Sequence, residues 1–198
     1  MTELDGHADP NSDEISLQRV VNGDLDALEH LFQNYQRQVY QFASGITRDP
    51  QTAEEVLQDV FYRLYQHAGQ LDASMPLLPW LYRVTANLAY NRARQRHWTQ
   101  SLQSLAENLF VSPRRSPEQL AEQHELQAIV RALLGELSPQ HRAVLILYYL
   151  HDYSIPEIAQ ILDNPEGTIK SRLHHARKIL KQRLMQRYGA TTALLDLI

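Results

Sequence analysis

The sequence predicts an all-α protein built as two small helical domains joined by a flexible linker. Three observations carry this. Seven glycines in 198 residues and no alternating β-branched runs leave little from which to build strands. Apolar residues recur instead at three- and four-residue steps in several separate stretches. Between those stretches, residues 99–117 become rich in Ser and Gln and end in Pro113-Arg114-Arg115-Ser116-Pro117, a composition suited to a linker. Hydrophobic residues make up 43% of the chain, enough for packed cores and too many for wholesale disorder.

Taken in order, residues 1–16 form an acidic, turn-rich tail expected to be mobile. The first domain spans 17–98. A helix from about Leu17 to Val21 meets the turn Asn22-Gly23-Asp24, and a longer one follows from about Leu25 to Gly45. Its apolar side is Leu28, Leu31, Phe32, Tyr35, Val39 and Phe42. Asp49-Pro50 pairs a capping acid with a proline at the first helical position, a helix-start signal. Ala53, Val56, Leu57, Val60, Phe61 and Leu64 then form a core stripe that turns Glu54, Glu55, Gln58, Asp59, Tyr62 and Arg63 outward. Residues 70–79 read as a loop, and Pro79-Trp80 opens a helix to about His97. After the linker, the second domain spans 118–188, with helices near 118–135, 139–150, 155–162 and 165–187. A tail of 189–198 ends in apolar residues.

Charge is unevenly spread. Residues 1–72 hold 13 acids against 4 bases, whereas residues 83–96 hold four arginines and no acid. Residues 164–188 hold seven bases against Glu166 alone, although the whole chain is −4. Two basic blocks in an acidic chain suit two contacts with a polyanion, the alternative being two solvated helix faces. The absence of cysteine excludes disulfides, thiolate zinc sites and thiol redox sensing. No apolar run nears the roughly 18 residues of a membrane span, and the first residues are acidic rather than basic. A cytoplasmic protein with no stable membrane association of its own is expected.

The strongest local signal is residues 154–173, SIPEIAQILDNPEGTIKSRL. Ser154 and Glu157 have capping-box spacing, and Ile158, Ala159, Ile161 and Leu162 give a short helix its buried side. Asp163-Asn164 makes the turn, Asn164 is placed to cap the next helix, and Pro165 suits its first position. Two helices joined so tightly have helix-turn-helix geometry. The second buries Ile169, Leu173, Ala176, Leu180 and Leu184. The helical period then turns Lys170, Ser171, His174, His175, Lys178 and Lys181 outward, with Arg172 and Arg177 on the shoulders. Such a face suits a major groove lined with acceptors and flanked by phosphates. His174 and His175 point about 100° apart on a helix and have no evident third ligand, so no metal site is read there. No phosphate loop, nucleophile elbow or convincing carboxylate pair appears, so neither a cofactor nor an enzymatic activity is expected.

These residues resemble a known family. LSPQHRAVL at 137–145, with IPEIA at 155–159 and EGTIKSRLHHAR at 166–177, is similar to region 4 of sigma-70-type factors. AEEVLQDVF at 53–61 and PWLYRVTAN at 79–87 are similar to region 2. Both in this order, covering about 17–97 and 118–185 with only a short linker between them, resemble the extracytoplasmic-function group. The resemblance implies a subunit that directs core RNA polymerase to promoter DNA and helps open the −10 region, and many relatives are restrained by an anti-sigma factor. It further implies that Glu55, Gln58, Asp59 and Arg63 bind core polymerase. Leu71, Met75, Arg83, Asn87, Tyr90, Asn91 and Arg94 would meet −10 DNA. Arg83, Asn87, Tyr90, Asn91 and Arg94 share one helical face, offering amide edges, a stacking ring and phosphate anchors to unpaired bases. Lys170, Ser171, Arg172, His174, His175, Arg177 and Lys178 would approach −35 duplex. The chain departs from the family pattern at Leu71–Met75, which lacks the usual aromatic, basic and glycine residues, and at Asn91, where aspartate is frequent. Two other classes fit parts of the sequence. One is a helix-turn-helix regulator with an N-terminal helical interaction domain. The other is a protein-interaction decoy that keeps the fold without transcribing.

Overall fold

The computed structural model describes the backbone of residues 10–72, 75–106 and 133–188, and every regular element among them is helical. The segments 1–9, 107–132 and 189–198 lie outside the described residues, and with them most of the expected linker, most of the 118–135 helix and the C-terminal tail.

The first helix, α1, runs Pro10–Val21 and starts well before the expected Leu17. The acidic stretch expected to be mobile is therefore helical from Pro10 on. A reason lies in Asp13, which is buried and accepts a hydrogen bond from the Tyr35 hydroxyl, so an acid read as solvated tail is tied into the core. Burial first, and then Asp13, pushes the Tyr35 hydroxyl pKa well up. α2 (Leu25–Thr47) is capped by Asp24, whose Oδ1 accepts from the Asp26 and Ala27 amides at 3.0 and 3.2 Å. Gly23 supplies the positive φ of the turn before it, +83°. α3 (Pro50–His67) begins as expected, with Asp49 Oδ2 2.9 Å from the Thr52 amide and proline in the first turn.

A short 3-10 turn at Ala68–Gln70 leads to α4, Leu77–Ala106. This helix begins ahead of Pro79, which its first turn tolerates because the amide there needs no partner. It then runs on past the expected end near His97, through residues 99–106. In the second module, α5 (Pro139–Tyr149) follows the cap Ser138. α6 (Ile155–Leu162) and α7 (Glu166–Tyr188) match the expected spans within a residue.

Two cores result. Leu17, Leu31, Val39, Val56, Val60, Leu64, Leu81 and Leu88 fill the space between α1 and α4. Val144, Leu147, Ile158, Ile161, Ile169, Leu173 and Leu184 fill that among α5, α6 and α7. The second core continues onto the first module through Phe42 and Ile46 of α2 and Tyr82, Ala86 and Ala89 of α4. α4 is thus apolar on two sides: Leu81, Val84 and Leu88 face its own module while Tyr82, Ala86 and Ala89 face the other. Between residues 81 and 89 only Arg83 and Asn87 are exposed.

Candidate nucleic-acid interface

The helix-turn-helix is held by local chemistry. The Glu157 carboxylate accepts from the Ser154 amide at 2.8 Å, and the Ser154 hydroxyl accepts from the Glu157 amide, completing the capping box. The Ser154 hydroxyl also donates to the Glu157 carboxylate at 2.6 Å, and that bond first, then the one from the Ser154 amide, lowers the Glu157 pKa and keeps it ionised. Asp163 closes α6 in the left-handed region at φ 51°, and the Asn164 amide donates to Ala159 O at 3.0 Å. Asn164 was expected to cap α7. Its side chain donates instead to Leu162 O at 2.5 Å and finishes α6, while Pro165 O accepts from the Thr168 and Ile169 amides in the first turn of α7.

Ile169, Leu173, Ala176, Leu180 and Leu184 are all buried, which fixes the roll of α7. Lys170, Ser171, His174, His175, Lys178 and Lys181 consequently face solvent, while Arg172 and Arg177 are half-buried on the shoulders. Not all this charge is uncommitted. Lys170 pairs with Glu166 at 3.2 Å, and Arg177 donates to the Tyr149 hydroxyl at 2.7 Å while lying over the Tyr148 and Tyr149 rings. The His175 ring stacks on His141 of α5, with centroids 6.4 Å apart, and His174 meets it edge-on. Burial, then His175 and Arg172, lowers the His141 pKa. Among the described residues no group of three ligands could hold a metal ion.

The expected −10 face of α4 is only partly assembled. Asn87, Asn91 and Arg94 are exposed along one side, and Met75 is exposed beside half-buried Leu71. Arg83 and Tyr90 depart from that picture. Arg83 Nε donates to Ile161 O at 3.1 Å, and its Nη2 to Gln160 O, so it reaches across to α6. The Tyr90 hydroxyl is buried with no hydrogen-bond partner. Burial raises its pKa to about 12 against a smaller opposing pull from Arg172 of α7. Leu71, Met75, Trp80 and Arg83 line a cleft of about 430 Å³ whose far wall is Tyr153, Glu157 and Ile161.

On α3, Glu55, Gln58 and Arg63 are exposed and Asp59 is half-buried. Arg92 of α4 bridges two of them, 2.9 Å from Asp59 and 3.3 Å from Glu55. That arginine had been counted in the basic block, so the structure removes one cation from the supposed phosphate anchors.

Sequence reasoning missed the residues that join the modules. Tyr82 hydrogen-bonds His151 at 3.0 Å, and Arg142 is buried while donating to Ile46 O, Leu134 O and Leu137 O. A signal existed: Tyr82, Ala86 and Ala89 recur at four- and three-residue steps, a second apolar stripe on one helix.

Residues 31–99 match the family model for sigma-70 region 2, and residues 127–180 the model for sigma-70 region 4. The extracytoplasmic-function sigma factor SigM of Bacillus subtilis is 33% identical, over 78% of this chain and 93% of its own length. SigW of the same organism, another such factor, is 28% identical over 85% and 94%. A crystallised complex of the sigma factor RpoE with the anti-sigma factor NepR, from Bartonella quintana, shares the fold. Its TM-score is 0.62 at 23% identity, covering 81% of this chain and 97% of that one. With a 33% relative matched over nearly its whole length and both regions present in order, the chain belongs to the extracytoplasmic-function group of sigma-70 family RNA polymerase sigma factors.

Proposed function

We propose that the chain is a promoter-specificity subunit that binds core RNA polymerase through α3, −35 duplex through α7 and the opened −10 strand through α4. The observation that carries this is the pairing, in one chain, of two dissimilar polar faces. One is a basic recognition helix with the capped geometry of a duplex reader. The other is a helix presenting Asn87, Asn91 and Arg94, whose amides can donate and accept at an unpaired base. In this reading Lys170, Ser171, His174 and His175 approach base edges, and Arg177 and Lys178 approach phosphate.

The subunit acts by binding alone and carries no chemistry of its own. It works where polymerase works, in the cytoplasm, and none of the helices among the described residues is long and apolar enough to cross a membrane. The RpoE structure holds an anti-sigma factor, and a restraining partner of that kind is part of the proposal. Run-off transcription with purified core polymerase and a genomic promoter library tests it. Promoter-specific initiation with this protein as the only added factor is the expected result. DNA binding without initiation would instead favour a helix-turn-helix regulator.

A further inference from the structure

The basic face of the second module extends beyond the recognition helix. His141, near the start of α5, places its ring parallel to that of His175 on α7, with centroids 6.4 Å apart and planes within 2°. His174 meets His175 edge-on at 6.0 Å. The cap of α5 fixes the His141 ring. Ser138 Oγ accepts from the His141 amide at 3.3 Å and lies 2.8 Å from ring Nδ1, so Nε2 is the nitrogen left for a ligand. His175 is exposed and His141 half-buried beside it, so the pair opens on the outward side of α7.

The charges around this pair are of one sign. Burial first, then His175 and Arg172, hold His141 in its neutral form, and no carboxylate opposes them. Arg172 Nη1 is itself buried with no hydrogen-bond partner. The acids flanking these elements are committed: Glu136, just ahead of α5, pairs with Arg183 at 3.3 Å, and Glu166 of α7 pairs with Lys170 at 3.2 Å. Arg142 of α5 turns inward onto Ile46 O, and Tyr90 of α4 presents an un-ionised hydroxyl. A duplex supplies the missing anion. Its phosphates carry one charge per about 1.7 Å of helix axis, so docking α7 reverses the local balance and favours a protonated ring. A protonated histidine donates from both nitrogens, so Nε2 of His141 can donate to a phosphate while Nδ1 donates to Ser138 Oγ. One proton suits the pair, because a second cation 6.4 Å away, with Arg172 alongside, would be repelled.

We propose that His141 is a −35 contact residue contributed by α5, and that it and His175 together take up one proton from solvent when the duplex binds. This rests on the reading of α7 as the −35 element: His175 keeps its place at a base edge, and His141 meets the flanking phosphate. Binding that takes up a proton strengthens as pH falls, by at most about tenfold per pH unit for one proton. Anisotropy titration of reconstituted holoenzyme against a labelled duplex, carrying the −35 element selected from the promoter library, tests this between pH 8 and 6 at fixed ionic strength. Wild type should gain about five- to thirtyfold in affinity over that range, and its salt slope should be steeper by about one at pH 6 than at pH 8. His141→Gln and His175→Gln should each reduce the gain to less than about twofold, whereas His174→Gln should keep it at a lower affinity throughout. His141→Arg and His175→Arg carry the charge permanently. Each should bind at pH 8 about as tightly as wild type does at pH 6, with a flat pH curve. A flat wild-type curve, or a slope that survives in both glutamine variants, would overturn the proposal. So would a His141→Gln protein weakened equally at every pH, because that is loss of packing alone. If Lys170→Ala and Lys178→Ala also leave duplex affinity unchanged, the −35 reading of α7 fails, and the proton uptake with it. Weakened binding in those two variants beside a flat wild-type curve rejects the proton uptake alone.

Discussion

Charge reversal at Asp59 combined with Gln58→Ala separates the role of α3 in binding from its role in the fold. Asp59 lies 2.9 Å from Arg92, and Glu55 shares the same guanidinium at 3.3 Å. All three side chains are 38–46% exposed, so water screens the pairs and each contributes about 0.2–1 kcal/mol. Asp59→Arg removes one pair and sets like charges side by side, a total cost of about 1–2 kcal/mol. Against this stand Val56, Val60 and Leu64, fully buried on the opposite side of the helix, each contributing about 1.5–3 kcal/mol. Helix content should therefore be unchanged and the unfolding midpoint only slightly lowered. If this face docks on polymerase, losing its two central polar groups should weaken core binding by 10- to 100-fold, about 1.4–2.8 kcal/mol. Fluorescence titration of labelled protein with core polymerase measures it. Arg92→Gln is the control, breaking the same ion pairs while leaving Asp59 and Glu55 in place, and it should bind core at least as tightly as wild type. Affinity within threefold of wild type for the Asp59→Arg/Gln58→Ala protein, or equal losses in both variants, would refute the assignment.

Three further outcomes follow from the geometry. Alanine at Lys170 or His174 should cost about 1–3 kcal/mol on the selected −35 duplex and relax preference at one position, whereas Lys178→Ala should weaken all sequences alike and reduce the salt slope by about one. Unchanged footprints and selected sequences in all three would remove α7 from base reading. Asn87→Ala/Asn91→Ala should bind core polymerase normally yet lose permanganate-reactive thymines near −10. Wild-type reactivity in that double variant would move strand capture elsewhere. Finally, burial lowers the pKa of both His141 and His151, the latter against a smaller upward pull from Asp152. The unfolded chain then takes up protons before the folded one, so stability is complete above about pH 6.5 and falls as pH drops below it. The slope should stay under the limit of about 1.4 kcal/mol per pH unit for each histidine, because both keep some contact with solvent. Urea midpoints between pH 7.5 and 5 check this, and His151→Gln should flatten the curve.

The helices were legible wherever their signals were local. Asp49-Pro50 and the Ser154/Glu157 box are complete within four residues, and the caps form where the sequence places them. α1 was misjudged for the opposite reason. Asp13 looks like solvated tail until Tyr35, 22 residues away, is known to donate to it. The polarity of residues 99–106 suits a linker, yet a polar stretch free of glycine and proline can remain helical, and α4 continues through it to Ala106.

The site shows the same division, and for a physical reason. On α7 a complete apolar stripe leaves only one orientation, so periodicity alone named the outward residues correctly. On α4 two stripes compete, Leu81-Val84-Leu88 and Tyr82-Ala86-Ala89, and a reading that gives Arg83, Asn87, Tyr90, Asn91 and Arg94 one polar face leaves the second stripe out of account. Arg83 and Tyr90 go with that stripe. Net charge misled in a related way, since a count of arginines between 83 and 96 cannot reveal that Arg92 already answers Glu55 and Asp59 and that Arg83 answers two carbonyls. What distinguishes a DNA-facing cation from a structural one is the set of acceptors around it, and those are supplied by α3 and α6, distant in sequence. A helix with two apolar stripes flanking a narrow polar seam therefore argues for a second packing partner before it argues for a ligand. By that criterion Arg83 and Tyr90 belong to the packing against the second module, while Asn87, Asn91 and Arg94 stay exposed on α4.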